Sequence, residues 1–511
     1  MIRRMTFIFA LLVLVLPSQL LEAGSNSSPL GHPAYRGESI LTGTVSAHSR
    51  DTTWEPESGI VMEVGGMDFL ADGRLAISTR MGEVWLLSNV LAEDLSKVEY
   101  HRFASGLHEP LGLLVEGDSL LVAQRAELTR LNDRDGDSIA DEYLCEAQGW
   151  NVSGAYHGYA YGPERDGQGR LWVTLNLDMG DRTNNDGLWR GWGLVVNSQG
   201  ELKPMAAGMR SPSGLGVNRE GDMFYTDQQG NWIPATPIHH LQQGAFYGNP
   251  DGLKSQFHRE SPLRLSAAVP NRIPFPNAVE ALPELAAPAV WLPYDKMGRS
   301  ATDILLCEAA DSFGPFDGQL LVGEFTNSSI NRVFLEKVQG VYQGACFPFL
   351  SGFPAAVFRL AMADDGSLFV GMTNRGWSSL GTASYGLWRV RYDGQQPPFE
   401  LKAIRANFGG FELEFTQPVD VTTITAPDAL NVSSYTYLYS NAYGSDEIQT
   451  KVHSCRVATV SPDKTKVSLS IDNLRTHYVY QFDLNNVLSR SGEPLVHHHG
   501  YYTLNKIPPE K

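Results

Sequence analysis

The chain has 511 residues, a formal net charge of −17 and four cysteines. Such acidity argues against nucleic acid and anionic membrane surfaces as partners, and it suits calcium and a solvated surface. The length allows two or three domains, and after the N-terminus no apolar run is long enough to span a bilayer.

Residues 1–23 read as a secretory signal peptide. Arg3 and Arg4 are its basic start, Phe7 to Leu16 its apolar core, and Leu21-Glu22-Ala23 a cleavage site before Gly24. No cysteine follows the apolar core, so no lipoprotein anchor is expected. The mature chain is expected in the periplasm or outside the cell. Residues 24–56, rich in Ser, Gly, His and Pro, read as an irregular leader.

From about residue 57 one pattern recurs six times: a Gly or Asp pair, then alternating apolar residues. The copies begin at Asp72-Gly73, Gly117-Asp118, Gly167-Gln168-Gly169, Gly221-Asp222, Asp317-Gly318 and Asp365-Gly366. Each pair permits a tight turn, and the residues after it predict a half-buried strand. A hairpin recurring about every 45–50 residues predicts a propeller with about four strands per blade. The reading is an all-β chain whose residues 57–392 form a six-bladed β-propeller. The spacing nearly doubles between Met223 and Leu320, where residues 250–285 show no strand period. An inserted loop or a degenerate seventh blade would account for that gap.

Within the second repeat, Asp133-Arg134-Asp135-Gly136-Asp137-Ser138-Ile139-Ala140-Asp141 spaces carboxylates as a calcium loop does. Asp133, Asp135, Asp137 and Asp141 would supply side-chain oxygens and Ile139 a carbonyl. Ser138 replaces the usual turn glycine, and Leu144 stands at the bidentate-glutamate position. The competing reading is a solvated acidic turn. The loop is expected just before His157, bracing the approach to the pore mouth.

The innermost strand of each blade should begin near the axis. That topology would gather Glu109, His157, Arg210, Asp303 and Arg359 around one mouth. A histidine beside two arginines could be a base next to an anion clamp. Equally, these residues could seal the channel through ion pairs with Glu109 and Asp303. In the last blade, Trp377 and Trp388 belong to a Gly-rich aromatic stretch that could stack on sugar rings or serve as core.

Asp393-Gly394-Gln395-Gln396-Pro397-Pro398 (residues 393–398) is a linker, since Gly and two prolines stop regular structure. Residues 399–511 alternate at period two in short segments and predict a β-sandwich. Asp446, His453 and His477 there are expected at the surface, as is the His497-His498-His499 run. Cys145, Cys307, Cys346 and Cys455 could form two disulfides or remain separate thiols, and they are too dispersed for zinc.

Several of these motifs resemble the soluble quinoprotein glucose and sorbosone dehydrogenases. His157-Gly158-x-x-Tyr161-Gly162-Pro163 followed by Gly169-Arg170-Leu171-Trp172-Val173 looks like that family's catalytic-histidine blade. Gly208-Met209-Arg210-Ser211-Pro212-Ser213-Gly214-Leu215 is similar to its Gly-x-Arg-Asn-Pro-x-Gly-Leu motif. Thr226-Asp227-Gln228-Gln229-Gly230, with Tyr247-Gly248-Asn249-Pro250 further on, resembles its calcium and quinone loop. The resemblance covers about residues 57–392.

It implies pyrroloquinoline quinone (PQQ) and Ca²⁺ as cofactors. His157 would take the proton from a sugar or small-alcohol hydroxyl, and Arg210 and Arg359 would hold the quinone. Backbone carbonyls near Gln229 and Gly230 would face the calcium. An external acceptor such as a cytochrome would receive the electrons. The sequence departs from the family where a lysine is expected on the fifth blade; Asn327 stands nearest. The alternatives are a non-catalytic, calcium-stabilised carbohydrate- or protein-binding propeller and a metal-dependent lactonase using Glu109, Asp68 and Asp303.

Overall fold

The computed structural model describes residues 27–510 apart from 57, 58, 60, 151, 153, 154, 179–186 and 395. The signal segment lies outside the described residues. Among them, no helix is long and apolar enough to cross a membrane. The chain is all-β, as expected, with strands in seven sheets and only short helical turns.

Six antiparallel units follow one another along the chain. Their first strands are Val64–Phe69, Leu113–Glu116, Ala160–Arg165, Gly214–Val217, Ala301–Leu306 and Val357–Met362. These strands touch in cyclic order, the last against the first, so the units close into a ring. In each unit the recurrent pair forms the turn between first and second strands, and its glycine has φ between 61° and 84°. A side chain is strained in that region, and glycine is not.

The second strands are buried on both faces: Leu75–Thr79, Leu171–Leu175, Met223–Thr226 and Leu368–Thr373 bury every residue. This corrects the half-buried expectation, because each sheet is sandwiched between its two ring neighbours. Trp85, Trp172 and Trp192 are among the largest side chains wholly out of water.

The leader is not irregular. Tyr35–Ser39 pairs antiparallel with Tyr385–Tyr392 and supplies the fourth strand of the sixth sheet, with Ser27–Pro29 paired outside it. Thr44–Val45 pairs parallel with the outer strand of the first. The gap after Met223 holds an insertion between Thr236–His240 and Val290–Leu292 of the fourth sheet. It carries a 3-10 helix, Pro250–Phe257, and an α-helix, Phe275–Ala281.

After residue 398 two further layers pack face to face. One comprises Leu401–Asn407, Gly410–Phe415, Lys466–Ile471 and Cys455–Val460. The other contains Leu430–Tyr439, Tyr478–Leu484 and His499–Leu504, and it continues into the fifth ring sheet by pairing with Val341–Ser351. Phe411, Leu413, Tyr480, Phe482 and Tyr502 fill the space between the layers.

A buried charge cluster joins the leader, the ring and this C-terminal region. Glu400 Oε1 lies 3.1 Å from His32 Nε2 and 2.8 Å from His497 Nδ1, with Arg332 Nη2 3.8 Å from Oε2. His32 Nδ1 accepts from the Ala34 amide, so Nε2 carries the hydrogen that Glu400 receives. His497 is therefore half-buried and paired rather than exposed. His453 is likewise buried, against Ser434 Oγ at 2.6 Å, and His477 is hydrogen-bonded to Asn505. All four cysteines are free thiols, so no disulfide forms.

Candidate active site

Where the first strands begin, a cavity of about 410 Å³ is lined by His157, Arg210, Gln228, Gln229, Arg299 and Trp377, among others. Residues widely separated in the chain meet there because each precedes or follows an inner strand of a different sheet. His157 stands just ahead of Ala160–Arg165, Arg210 ahead of Gly214–Val217, and Ser300 ahead of Ala301–Leu306.

A repeated device holds these approaches in place. In five sheets a polar residue ending or following the second strand grips the backbone ahead of that sheet's first strand. Gln124 Oε1 accepts from the His108 amide, and Asn374 Oδ1 from Ala356 at 3.0 Å. Asn176 Nδ2 donates to the His157 carbonyl at 2.7 Å. Asp227 accepts from the amides of Arg210 and Ser211 at 2.7 and 2.6 Å. Glu324 Oε1 accepts from Arg299 and Ser300, both at 2.7 Å.

Burial pushes the Asp227 carboxyl up to about 6 despite these donors, and it also raises that of Glu324. Each buried carboxylate thus fixes a loop and leaves the side chain beyond it aimed at the cavity. The Arg210 guanidinium makes no ion pair among the described residues; it lies 5.3 Å from the Tyr443 ring centre.

Behind His157 stands a second charged layer. Arg80 Nη2 donates to Glu109 Oε1 at 2.6 Å and to the Tyr159 hydroxyl at 3.1 Å. Arg125 Nε donates to Glu109 Oε2 at 2.7 Å, and its guanidinium lies 4.5 Å from the Tyr159 ring centre. Burial alone would raise the Glu109 carboxyl, but the two arginines hold it below the usual range. Glu109 is thus sealed by Arg80 and Arg125, not by His157 or Arg210.

The structure does not bring Arg359 to this mouth. Leu111, Tyr159, Tyr161, Phe325, Ala356 and Phe358 form an apolar plug across the axis. Arg359 lies beyond it, lining a separate cavity of about 620 Å³ with Asp68, Glu164 and Asp303. Its guanidinium donates to the carbonyls of Gly65, Leu111 and Phe358 at 2.8, 2.7 and 2.9 Å, and lies 3.9 Å from Asp303. Burial lifts Glu164 to about 8, with repulsion from Asp68 and Asp303 adding to it.

Asn327 does not line the upper cavity either; its amide donates to Glu324. Gln229 does line it, and the neighbouring Gly230 carbonyl accepts the Gly444 amide at 3.0 Å.

The acidic loop lies at the other end of the ring. It joins Glu127–Asn132 to Glu142–Gln148 beside the turns at Asp72 and Asp118, so it does not brace the approach to His157. Ligand atoms of Asp133, Asp135 and Asp141 lie within 4.8 Å of one another, a spacing that fits one cation. The Asp137 carboxylate falls outside that group; its Oδ1 instead accepts the Ile139 amide at 2.8 Å. Ser138 takes the turn-glycine position with φ 65°.

Sequence reasoning missed Gln228 as a lining residue, the gripping residues and Tyr443. The grip had a signal: in each of these five sheets a polar residue ends or closely follows the apolar run of the second strand. Tyr443 had none, because it comes from the C-terminal region.

No protein-family model and no curated protein matches the chain. Solved structures similar to it include an oxidoreductase (glucose dehydrogenase) from Thermus thermophilus, 16% identical with a TM-score of 0.48, covering 70% of this chain and 99% of that one. Another is the PQQ-bound aldose sugar dehydrogenase from Streptomyces coelicolor, 12% identical with a TM-score of 0.46, covering 71% and 100%. A third is the apo form of the soluble aldose sugar dehydrogenase from Escherichia coli, 13% identical with a TM-score of 0.45, covering 65% and 96%.

Proposed function

We propose that the ring is a six-bladed β-propeller followed by a β-sandwich, and that the chain is an exported sugar or alcohol dehydrogenase of the quinoprotein type. The observation that carries this reading is the meeting of His157 and Arg210 in one cavity with Gln228 and Gln229. These are the residues on which the sequence motifs rest.

The donor set fits a planar polyanion such as PQQ. Arg210, free of any ion pair among the described residues, and Arg299 would hold its carboxylates. Gln228 and Ser300 would supply neutral hydrogen bonds. When bound, the quinone supplies a two-electron hydride acceptor. The His157 imidazole takes the proton of the substrate hydroxyl. Asn176 fixes the His157 backbone, and Asp227 fixes that of Arg210, so base and clamp keep their separation. We also infer that Asp133, Asp135 and Asp141 hold a calcium ion with a structural role.

Reconstitution with PQQ and Ca²⁺, a dye acceptor and a panel of aldoses and alcohols tests the reading. Dye reduction by the wild type and its loss in His157→Gln are expected; no reduction by the wild type defeats it. The first residue of the mature protein should be Gly24. A non-catalytic carbohydrate-binding propeller is the second reading, favoured by the engagement of Arg359 with three carbonyls and by the absence of lysine among the described residues lining the upper cavity. Saccharide binding without dye reduction, unchanged in His157→Gln, would establish it.

A further inference from the structure

The C-terminal region reaches the mouth of the ring. The loop between Leu430–Tyr439 and Glu447–Val452 lies along residues 230–234. The Trp232 amide donates to the Ser440 carbonyl at 3.1 Å, and the Ser445 amide to Pro234 at 2.9 Å. The Gly444 amide donates to Gly230, and Asn231 Nδ2 to Asn441 at 3.0 Å. Gly444 has φ 66°, and a Cβ there would meet Gln229 Nε2 at 2.6 Å. The loop is thus docked largely by main-chain bonds, with a left-handed turn at Gly444 that favours glycine, and its position does not depend on the Tyr443 ring.

The Tyr443 side chain takes no part in these bonds. Tyr443 is 64% exposed, yet it lines the cavity of His157 and Arg210. Trp377, 39% exposed, lines the same cavity from the sixth sheet, its ring 4.5 Å from that of Phe325. Large aromatic faces left in water at the lip of a polar cavity gain by covering a ligand that is itself part apolar. A sugar ring has this character: C–H faces above and below, hydroxyls at the rim.

We propose that Tyr443 and Trp377 form an aromatic subsite for a saccharide ring, so that the C-terminal region is part of the binding site. The proposal rests on the sugar-directed function argued above. It assigns Tyr443 a role in substrate affinity, because hydroxyl proton removal belongs to His157.

The test measures steady-state kinetics of the reconstituted enzyme with D-glucose and maltose. Alongside it, maltose is titrated by calorimetry without quinone. Tyr443→Ala should raise KM for maltose and weaken its binding by roughly five- to tenfold, with the loss falling on KM rather than kcat. Tyr443→Phe keeps the ring and should stay within about twofold of wild type. Trp377→Ala should behave as Tyr443→Ala. If wild type oxidises sugars while KM and maltose binding are unmoved in Tyr443→Ala, this subsite falls and the functional reading stands. If wild type neither binds nor oxidises either sugar, both fall.

Discussion

Glu400 offers a quantitative test of how the C-terminal region is fastened to the ring. Its side chain is 1% exposed, and that of His32 is wholly buried. Burial alone would raise the carboxyl, but hydrogen bonds from His32 and His497 bring it from 4.5 down to about 2. At about 1.4 kcal/mol per unit, the ionised group favours the folded state by roughly 3 kcal/mol. The folded value lies below the unfolded one, so this stability is present above about pH 4.5 and is lost as the pH falls towards about 2. His32 acts in the same sense: burial lowers it from 6.5, so acid conditions penalise the fold there too. Urea unfolding of wild type and Glu400→Gln at about pH 7 should show a gap of roughly 3 kcal/mol. At about pH 3.5 the gap should shrink by on the order of 1–1.5 kcal/mol. A gap independent of pH, or below about 1 kcal/mol at neutrality, would refute the reasoning.

Glu164 should show the opposite pH dependence. Its folded value, about 8, lies above the ordinary 4.5, so it costs stability as pH rises between them. Glu164→Gln should raise urea stability by roughly 4 kcal/mol at about pH 8 and change little at about pH 4. Asp227→Asn leaves one of the Arg210 and Ser211 amides short of an acceptor, so a loss of roughly 1–3 kcal/mol in thermal unfolding is expected, with dye reduction falling as well. Arg359→Met strips donors from three carbonyls and should cost about 2–4 kcal/mol on chemical unfolding while leaving maltose binding at the upper cavity unchanged.

The ring was legible because its signal is local. A Gly or Asp turn and the apolar run after it lie within a few residues of each other, and the turn dictates the hairpin. The site was legible only in part. His157 and Arg210 each stand ahead of their inner strands, and they meet. Arg359 is the third residue of Val357–Met362, with a register shift at its start. At about 3.3 Å per residue it falls well below the mouth, and Phe358 takes the plug position instead. Asp303 is the third residue of its strand and Asp68 the fifth, so they too sit in the lower cavity. Equal order along the chain does not give equal depth along the axis. Tyr35–Ser39 reads as leader because a short fourth strand containing Gly37 and Glu38 carries little apolar pattern. Tyr443 and the pairing of Val341–Ser351 with His499–Leu504 depend on contacts between distant segments, which no local spacing encodes.

The fourth strand Tyr35–Ser39 has a consequence for how the molecule is made. This stretch leaves the ribosome early, yet its partner, Tyr385–Tyr392, is synthesised some 350 residues later. Until then the sixth sheet lacks an edge and the first and last units have nothing to latch them. Completion of the circle is therefore a late, long-range event, slow by the entropy of bringing such distant ends together. A nick between Ser39 and Thr44 would leave every strand intact while converting that latch from a tether into a detachable peptide.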